Sequence, residues 1–260
     1  MNGSFAADNV NMFTWDATPA AIEKLVLDLN EGQPLIAFDE TISITTFQPT
    51  RLTLQSSTAI DGGEIRIPVT GGSFTMTNSP EVTLTLTPAD LNSVKLTAGI
   101  GDSPGNTYLR PFAVVASDVS SIVAVKQTPL PAFNVLADRA APDLNHFVLD
   151  LSGDTVSLTL DEPVNASLLN FTQFTLFNSS DTATSPVEIP LDGTTTSPDG
   201  TEIVIQLPPD LALMIKTTAD IATSISDTFI DYQMGLLWTF LKTRFLLPQQ
   251  ECRHQMLCQV

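Results

Sequence analysis

"LVLDLNEGQPLIAFDETI" (25–42) and "FVLDLSGDTVSLTLDEPV" (147–164) are two versions of one segment. They align without a gap: Asp28 falls on Asp150, Asp39 on Asp161 and Glu40 on Glu162, so the offset is 161 minus 39, or 122 residues. Apolar residues recur at every second position, with Leu25, Leu27 and Leu29 on one side and Val26, Asp28 and Asn30 on the other. That period places alternate side chains on opposite faces of a β-strand. Asn30-Glu31-Gly32 is turn material, replaced by Ser152-Gly153-Asp154 in the second version. Strand, turn and strand together predict a β-hairpin in each version.

The match spreads outward from the hairpin. "IPVTGG" (67–72) meets "IPLDGT" (189–194), and "VTLTLTPADL" (82–91) meets "EIVIQLPPDL" (202–211). "DSPGNTYL" (102–109) meets "TSISDTFI" (223–230), and the lead-in "DATPAAIEKLVLDL" from Asp16 meets "DRAAPDLNHFVLDL" from Asp138. A period this long exceeds the 20–50 residues of solenoid repeats and fits one small β domain per copy. Further strands are predicted at 51–55, 64–69, 82–86, 107–116 and 122–126, with counterparts at 173–177, 187–191, 202–207 and 228–231. Short strands at this spacing predict a sandwich. One short helix per copy is predicted from "TPADLNSVK", with Thr87 as N-cap and Pro88 at the first helical position, and from "PPDLALMIK". Asp210 is expected to face the amides of its helix as Asp90 does in the first copy.

The predicted fold class is all-β, two tandem sandwiches with the second truncated, each carrying one short helix. Residues 1–15 read as the remnant of a preceding repeat, 16–138 as the first repeat, 139–232 as an incomplete second repeat, and 233–260 as a non-repeat tail. The chain is expected to be a fragment of a longer array.

Lys and Arg number 11 against 29 Asp and Glu, a formal charge of −18, which repels nucleic acid and anionic lipid. "MGLLWTFLKTRFLL" (234–247) is too short and too interrupted by Lys242 and Arg244 for a spanning helix, so no membrane insertion is expected. The N-terminal stretch has neither a basic n-region nor an apolar h-region and does not read as a signal peptide. The two cysteines, Cys252 and Cys258, both lie in the tail, so the body must be held by its core.

No catalytic residue is expected. "GDSPG" (101–105) has the form of a nucleophile elbow, but Pro104 lacks the N–H an oxyanion would need after the serine, so a hydrolase is poorly supported. His146 enters a strand, and His254 between the tail cysteines is weak support for a metal site. Paired carboxylates are the remaining candidates. Adjacent strand residues point to opposite faces, so Asp39 and Glu40 cannot act together on one bond. Asp28, Asp39, Glu40, Asp138, Asp161 and Glu162 are the candidate calcium ligands, calcium being the one cofactor weighed. The alternative is that the acid pair faces solvent and blunts a sheet edge. Asn2, Asn165, Asn170 and Asn178 begin Asn-x-Ser/Thr sequons; the last three are the candidate glycosylation sites.

The Asp-x-x-x-Pro lead-in, "LDLNEGQPLIAFDETI" and "LTLQSS" resemble immunoglobulin-like repeats of large secreted or cell-surface proteins. "IAFDETI" and "LTLDEPV" are similar to the second strand of the bacterial Ig-like domains of surface-layer proteins and adhesins. The resemblance covers 16–138 well and 138–232 in part, and not the tail. It implies a non-catalytic structural or adhesive module, extracellular or at the cell surface. Its implied partners are other repeats of the same protein or cell-surface and matrix proteins. The alternative it leaves open is a calcium- or glycan-binding module.

Overall fold

In the computed structural model, residues 12–60, 62–124, 128–180 and 186–232 are described. The Asn2 sequon, the tail from 233 with its cysteines, and most of 1–15 lie outside them. The first copy contributes β1 (Ile22–Asp28), β2 (Gln33–Ile42), β3 (Leu52–Gln55), β4 (Arg66–Pro68), β5 (Ser73–Phe74) and β6 (Ser79–Thr85). After helix α1 (Pro88–Leu96) come β7 (Tyr108–Pro111), β8 (Ala116–Ser117), β9 (Val123–Ala124), β10 (Leu130–Pro131) and β11 (Asn134–Leu136). The second copy contributes β12 (Leu144–Asp150), β13 (Thr155–Val164), β14 (Phe174–Phe177), β15 (Glu188–Pro190), β16 (Gly200–Gln206), helix α2 (Pro209–Thr217) and β17 (Phe229–Tyr232). The fold is mostly β, as the period of two predicts.

The hairpin turn is built by the residues that repeat. Asp28 Oδ1 accepts the N–H groups of Asn30 (2.9 Å) and Glu31 (3.1 Å), and Asp150 Oδ1 accepts those of Ser152 (2.8 Å) and Gly153 (3.1 Å). Such Asx turns hold the chain while it reverses. The position that follows is left-handed in both copies, Gly32 at φ +65° and Asp154 at φ +54°. In the first copy glycine also leaves room for a neighbour: a Cβ there would sit 2.8 Å from Leu91 Cδ2, so that side chain would have to shift.

Pairing repeats with the same register. β1 and β2 pair Leu27 with Pro34, and β12 and β13 pair Leu149 with Val156, each partner 122 residues on. The irregularity between Ile22 and Lys24 returns between Leu144 and His146. In the first copy a five-stranded sheet, β11-β1-β2-β6-β5, faces a four-stranded sheet, β10-β7-β3-β4. In the second, β12-β13-β16 and β15-β14-β17 reproduce the centres of both.

The alternation buries one face of each sheet. Leu25, Leu27, Ile36 and Leu84 meet Leu52, Leu54, Ile67 and Leu109 in one core, capped by Val94 of α1. Val156, Leu158, Ile203 and Ile205 meet Phe174, Leu176 and Ile189 in another, capped by Ile215 of α2. Burying a Leu, Ile or Val side chain contributes about 1.5–3 kcal/mol, so each copy holds a core of its own.

Three expectations are corrected. The strand predicted over 107–116 stops at Pro111, whose nitrogen has no hydrogen to continue the ladder, and pairing resumes at Ala116. Thr87 caps α1 as predicted, accepting the Asp90 N–H at 3.1 Å, but the Asp90 carboxylate accepts the backbone N–H and the hydroxyl of Thr70, both at 2.9 Å. Asp210 does not repeat this. α1 begins at Pro88 and α2 at Pro209, so Asp210 sits one residue nearer its helix start than Asp90 does and Leu211 takes the place of Asp90; Asp192 also stands where Thr70 stood, and α2 has no side-chain cap. Finally, Asp39-Glu40 and Asp161-Glu162 do not lie on outermost strands, since β2 runs between β1 and β6 and β13 between β12 and β16, but the ladders to β6 and β16 are interrupted beside them.

Candidate functional site

The two acids of each pair part company. The Asp39 N–H donates to Ala21 O at 3.0 Å while its Oδ1 accepts the Ala21 N–H at 2.7 Å. Asp161 and Asp143 make the same reciprocal pair at 3.0 and 2.7 Å. Pairing of β2 with β6 is interrupted between Ala37 and Ile42, while on the other side of β2 the acid ties down the segment that leads into β1. Asp28, Asp39 and Asp161, three of the candidate calcium ligands, therefore bind backbone amides. Glu40, Asp138 and Glu162 are placed differently.

Asp138 and Glu162 meet on a lysine of the other copy. Lys95, in the last turn of α1, puts Nζ 2.8 Å from Asp138 Oδ2 and 3.0 Å from Glu162 Oε1. The lysine is only 5% exposed and Asp138 7%. Asp138 Oδ1 is already engaged by the Ala140 N–H at 3.1 Å, so the two oxygens of this carboxylate have separate tasks. Around the triad, Leu29 N–H donates to Leu136 O at 3.0 Å and Arg139 N–H to Asn30 Oδ1 at 3.2 Å. The boundary between the copies is thus a buried ionic junction of one cation and two anions. Burial holds the Glu162 carboxyl above the ordinary carboxylate value; the hydrogen bond from Lys95 pulls it back and the charge of Asp138 pushes it up again.

Glu40 belongs to the corresponding place in the first copy. Oxygens of Asp16, Glu40 and Asp118 lie within 4.8 Å of one another, and among the described residues this is the one such group of acids. Asp16 Oδ1 accepts the Thr18 N–H at 3.1 Å, as Asp138 accepts that of Ala140. Asp118 is 1% exposed; its Oδ1 accepts the Ile122 N–H at 2.8 Å and its Oδ2 is buried with no hydrogen-bond partner. Burial first, then the charges of Asp16, Asp118 and Asp39, raise the Glu40 carboxyl, whereas the Thr18 amide holds Asp16 down. Three converging carboxylates favour a cation. Their oxygens suit calcium in kind, although calcium takes six to eight, and they suit a single ammonium equally.

Sequence reasoning had not joined Asp16 and Asp118 to this group, nor Lys95 to the junction. Asp16 lies 138 minus 16, or 122, residues before Asp138, so the period itself carries the signal. Lys95 and Lys216 end the two matching helix segments, which was the trace of the junction. Asp118 has no described counterpart that could have marked it.

The remaining motifs are absorbed locally. Ser103 caps a turn over Pro104–Asn106, with Asn106 Oδ1 accepting the Ser103 N–H at 3.0 Å. Asn165 and Asn170 cap two further turns, accepting the Ser167 N–H at 3.0 Å and the Thr172 N–H at 3.2 Å. Asn178 accepts the Val187 N–H at 2.9 Å. His146 is exposed on β12. Among the described residues no helix is long and apolar enough to cross a membrane. No protein-family model matches the chain, and no curated protein is significantly similar to it in sequence.

Proposed function

We propose that the chain is a non-catalytic structural or adhesive module. In this reading it consists of tandem immunoglobulin-like sandwiches that belong to a large extracellular or cell-surface protein, with other repeats or surface and matrix proteins as partners. The observation that carries this is the junction. Lys95 is withdrawn from water to join two copies, and a buried ion set of this kind fixes one geometry rather than maximising affinity. Strand order adds support. β1 and β11 are the first and last strands of the first copy and pair in parallel, Leu27 opposite Val135. Tension on the two ends of that copy pulls these strands in opposite directions, so their hydrogen bonds resist together in shear.

Single-molecule pulling on the full chain tests the proposal. A discrete high-force unfolding step for the first copy is expected; smooth low-force extension would rule out a load-bearing spacer. A second reading, a calcium-binding module, is favoured by Asp16, Glu40 and Asp118 alone. It predicts a melting temperature that rises with millimolar calcium.

A further inference from the structure

We infer that Asp16, Glu40 and Asp118 form a socket for the ammonium group of Lys216 from a second copy of this chain, giving head-to-tail association.

The second copy shows what these residues do. Asp138 and Glu162, the counterparts of Asp16 and Glu40, hold Lys95 Nζ at 2.8 and 3.0 Å. The backbone that presents them is the same in both copies, with matched bonds at Thr18 and Ala140 and at Ala21 and Asp143. Copy one therefore offers the oxygens of Asp16 and Glu40 at the positions whose counterparts take an ammonium in copy two. It adds Asp118, whose buried Oδ2 has no partner. Among the described residues no basic side chain pairs with any of the three.

The plug is Lys216. It occupies in α2 (Pro209–Thr217) the place Lys95 has in α1, the next-to-last residue of a nine-residue helix. Lys95 reaches forward to the next copy. Lys216 folds back on Asp154, with 38% of its side chain and 35% of the aspartate's exposed. Gly32 stands at the position of Asp154 in the first copy, so no acid there competes for Lys95. An ion pair this exposed is weak and readily exchanged. Because plug and socket are different residues, the contact is heterologous and propagates from copy to copy, into a ring or an open chain.

The inference rests on the chain being a repeat module. It can fail on its own, because Lys95 acts within one molecule. The test is sedimentation velocity of the full chain from micromolar to millimolar concentration. The weight-average sedimentation coefficient should rise with concentration, and rise further in Asp154→Gly, which frees Lys216. Glu40→Lys alone and Lys216→Glu alone should remain monomeric across the range. Mixing those two variants should restore association, since each then meets an opposite charge. Wild-type protein that stays monomeric at millimolar concentration overturns the proposal, as does association retained in both single variants. So does a calcium-dependent rise in melting temperature abolished by Glu40→Gln, because the socket would then be a metal site.

Discussion

Replacing Lys95 with Met removes the ammonium from the junction while keeping most of the volume of its stem. The variant leaves Asp138 and Glu162, 8% and 16% exposed at the side chain, facing each other without the cation that lies 2.8 and 3.0 Å from them. Breaking a buried ion set by removing one partner costs about 3–5 kcal/mol, because the charges left behind remain withdrawn from water. Urea unfolding of the full chain at neutral pH should show a loss of that size. The transition should also split, since the two cores share no residue among those described and the junction bridges them. The defect should depend on pH with a definite sign. Without Lys95, Glu162 loses the influence that lowers its pKa and keeps those that raise it. A carboxyl raised on folding favours the folded state while it is protonated and ceases to do so as pH rises through its folded pKa. The loss in Lys95→Met should therefore be smallest in acid and grow toward neutrality. Adding Asp138→Asn and Glu162→Gln should recover most of the stability. A change below about 0.5 kcal/mol in Lys95→Met, typical of an exposed bridge, would refute the reasoning.

Other predictions follow from individual residues. Glu40→Gln removes a carboxyl raised by burial and by three neighbouring acids, so at micromolar concentration it should raise the melting temperature at pH 7. The gain should vanish in acid below the ordinary value of 4.5, where Glu40 is protonated in either state. Asp90→Ala should cost about 1.5–3 kcal/mol in urea unfolding, because its carboxylate holds Thr70 twice, whereas exposed Asp210→Ala should stay within about 0.5 kcal/mol. Leu54→Ala and Leu176→Ala empty equivalent core positions and should each cost about 2–5 kcal/mol, with hydrogen exchange rising in the affected copy alone.

The hairpins, both helices and most strands were legible because alternation and spacing are local signals that the chain states twice. Leu25, Leu27 and Leu29 fix the buried face, and Asp28 with Gly32 fixes the turn. The break at Pro111 was legible in principle from its missing N–H. The site was harder to see. Asp39-Glu40 and Asp161-Glu162 stood out as pairs, but the members of each pair face different ways, and their roles depend on residues far along the chain. Asp39 answers to Ala21, Glu40 to Asp16 and Asp118, and Glu162 to a lysine on the other copy's helix. A lysine on a short helix gives no sign of burial until the fold places the next copy against it. Asp210 misled for the opposite reason: the helix motif repeats, but its register slips by one residue, so Leu211 and not Asp210 takes the place of Asp90.

Residual dipolar couplings of the full chain, measured for backbone amides in both copies, test most directly whether the Lys95 junction joins two β modules into one body. One alignment tensor should fit 20–136 and 144–232 together, and Lys95→Met should need two. Two independent tensors in the wild-type chain would contradict the account.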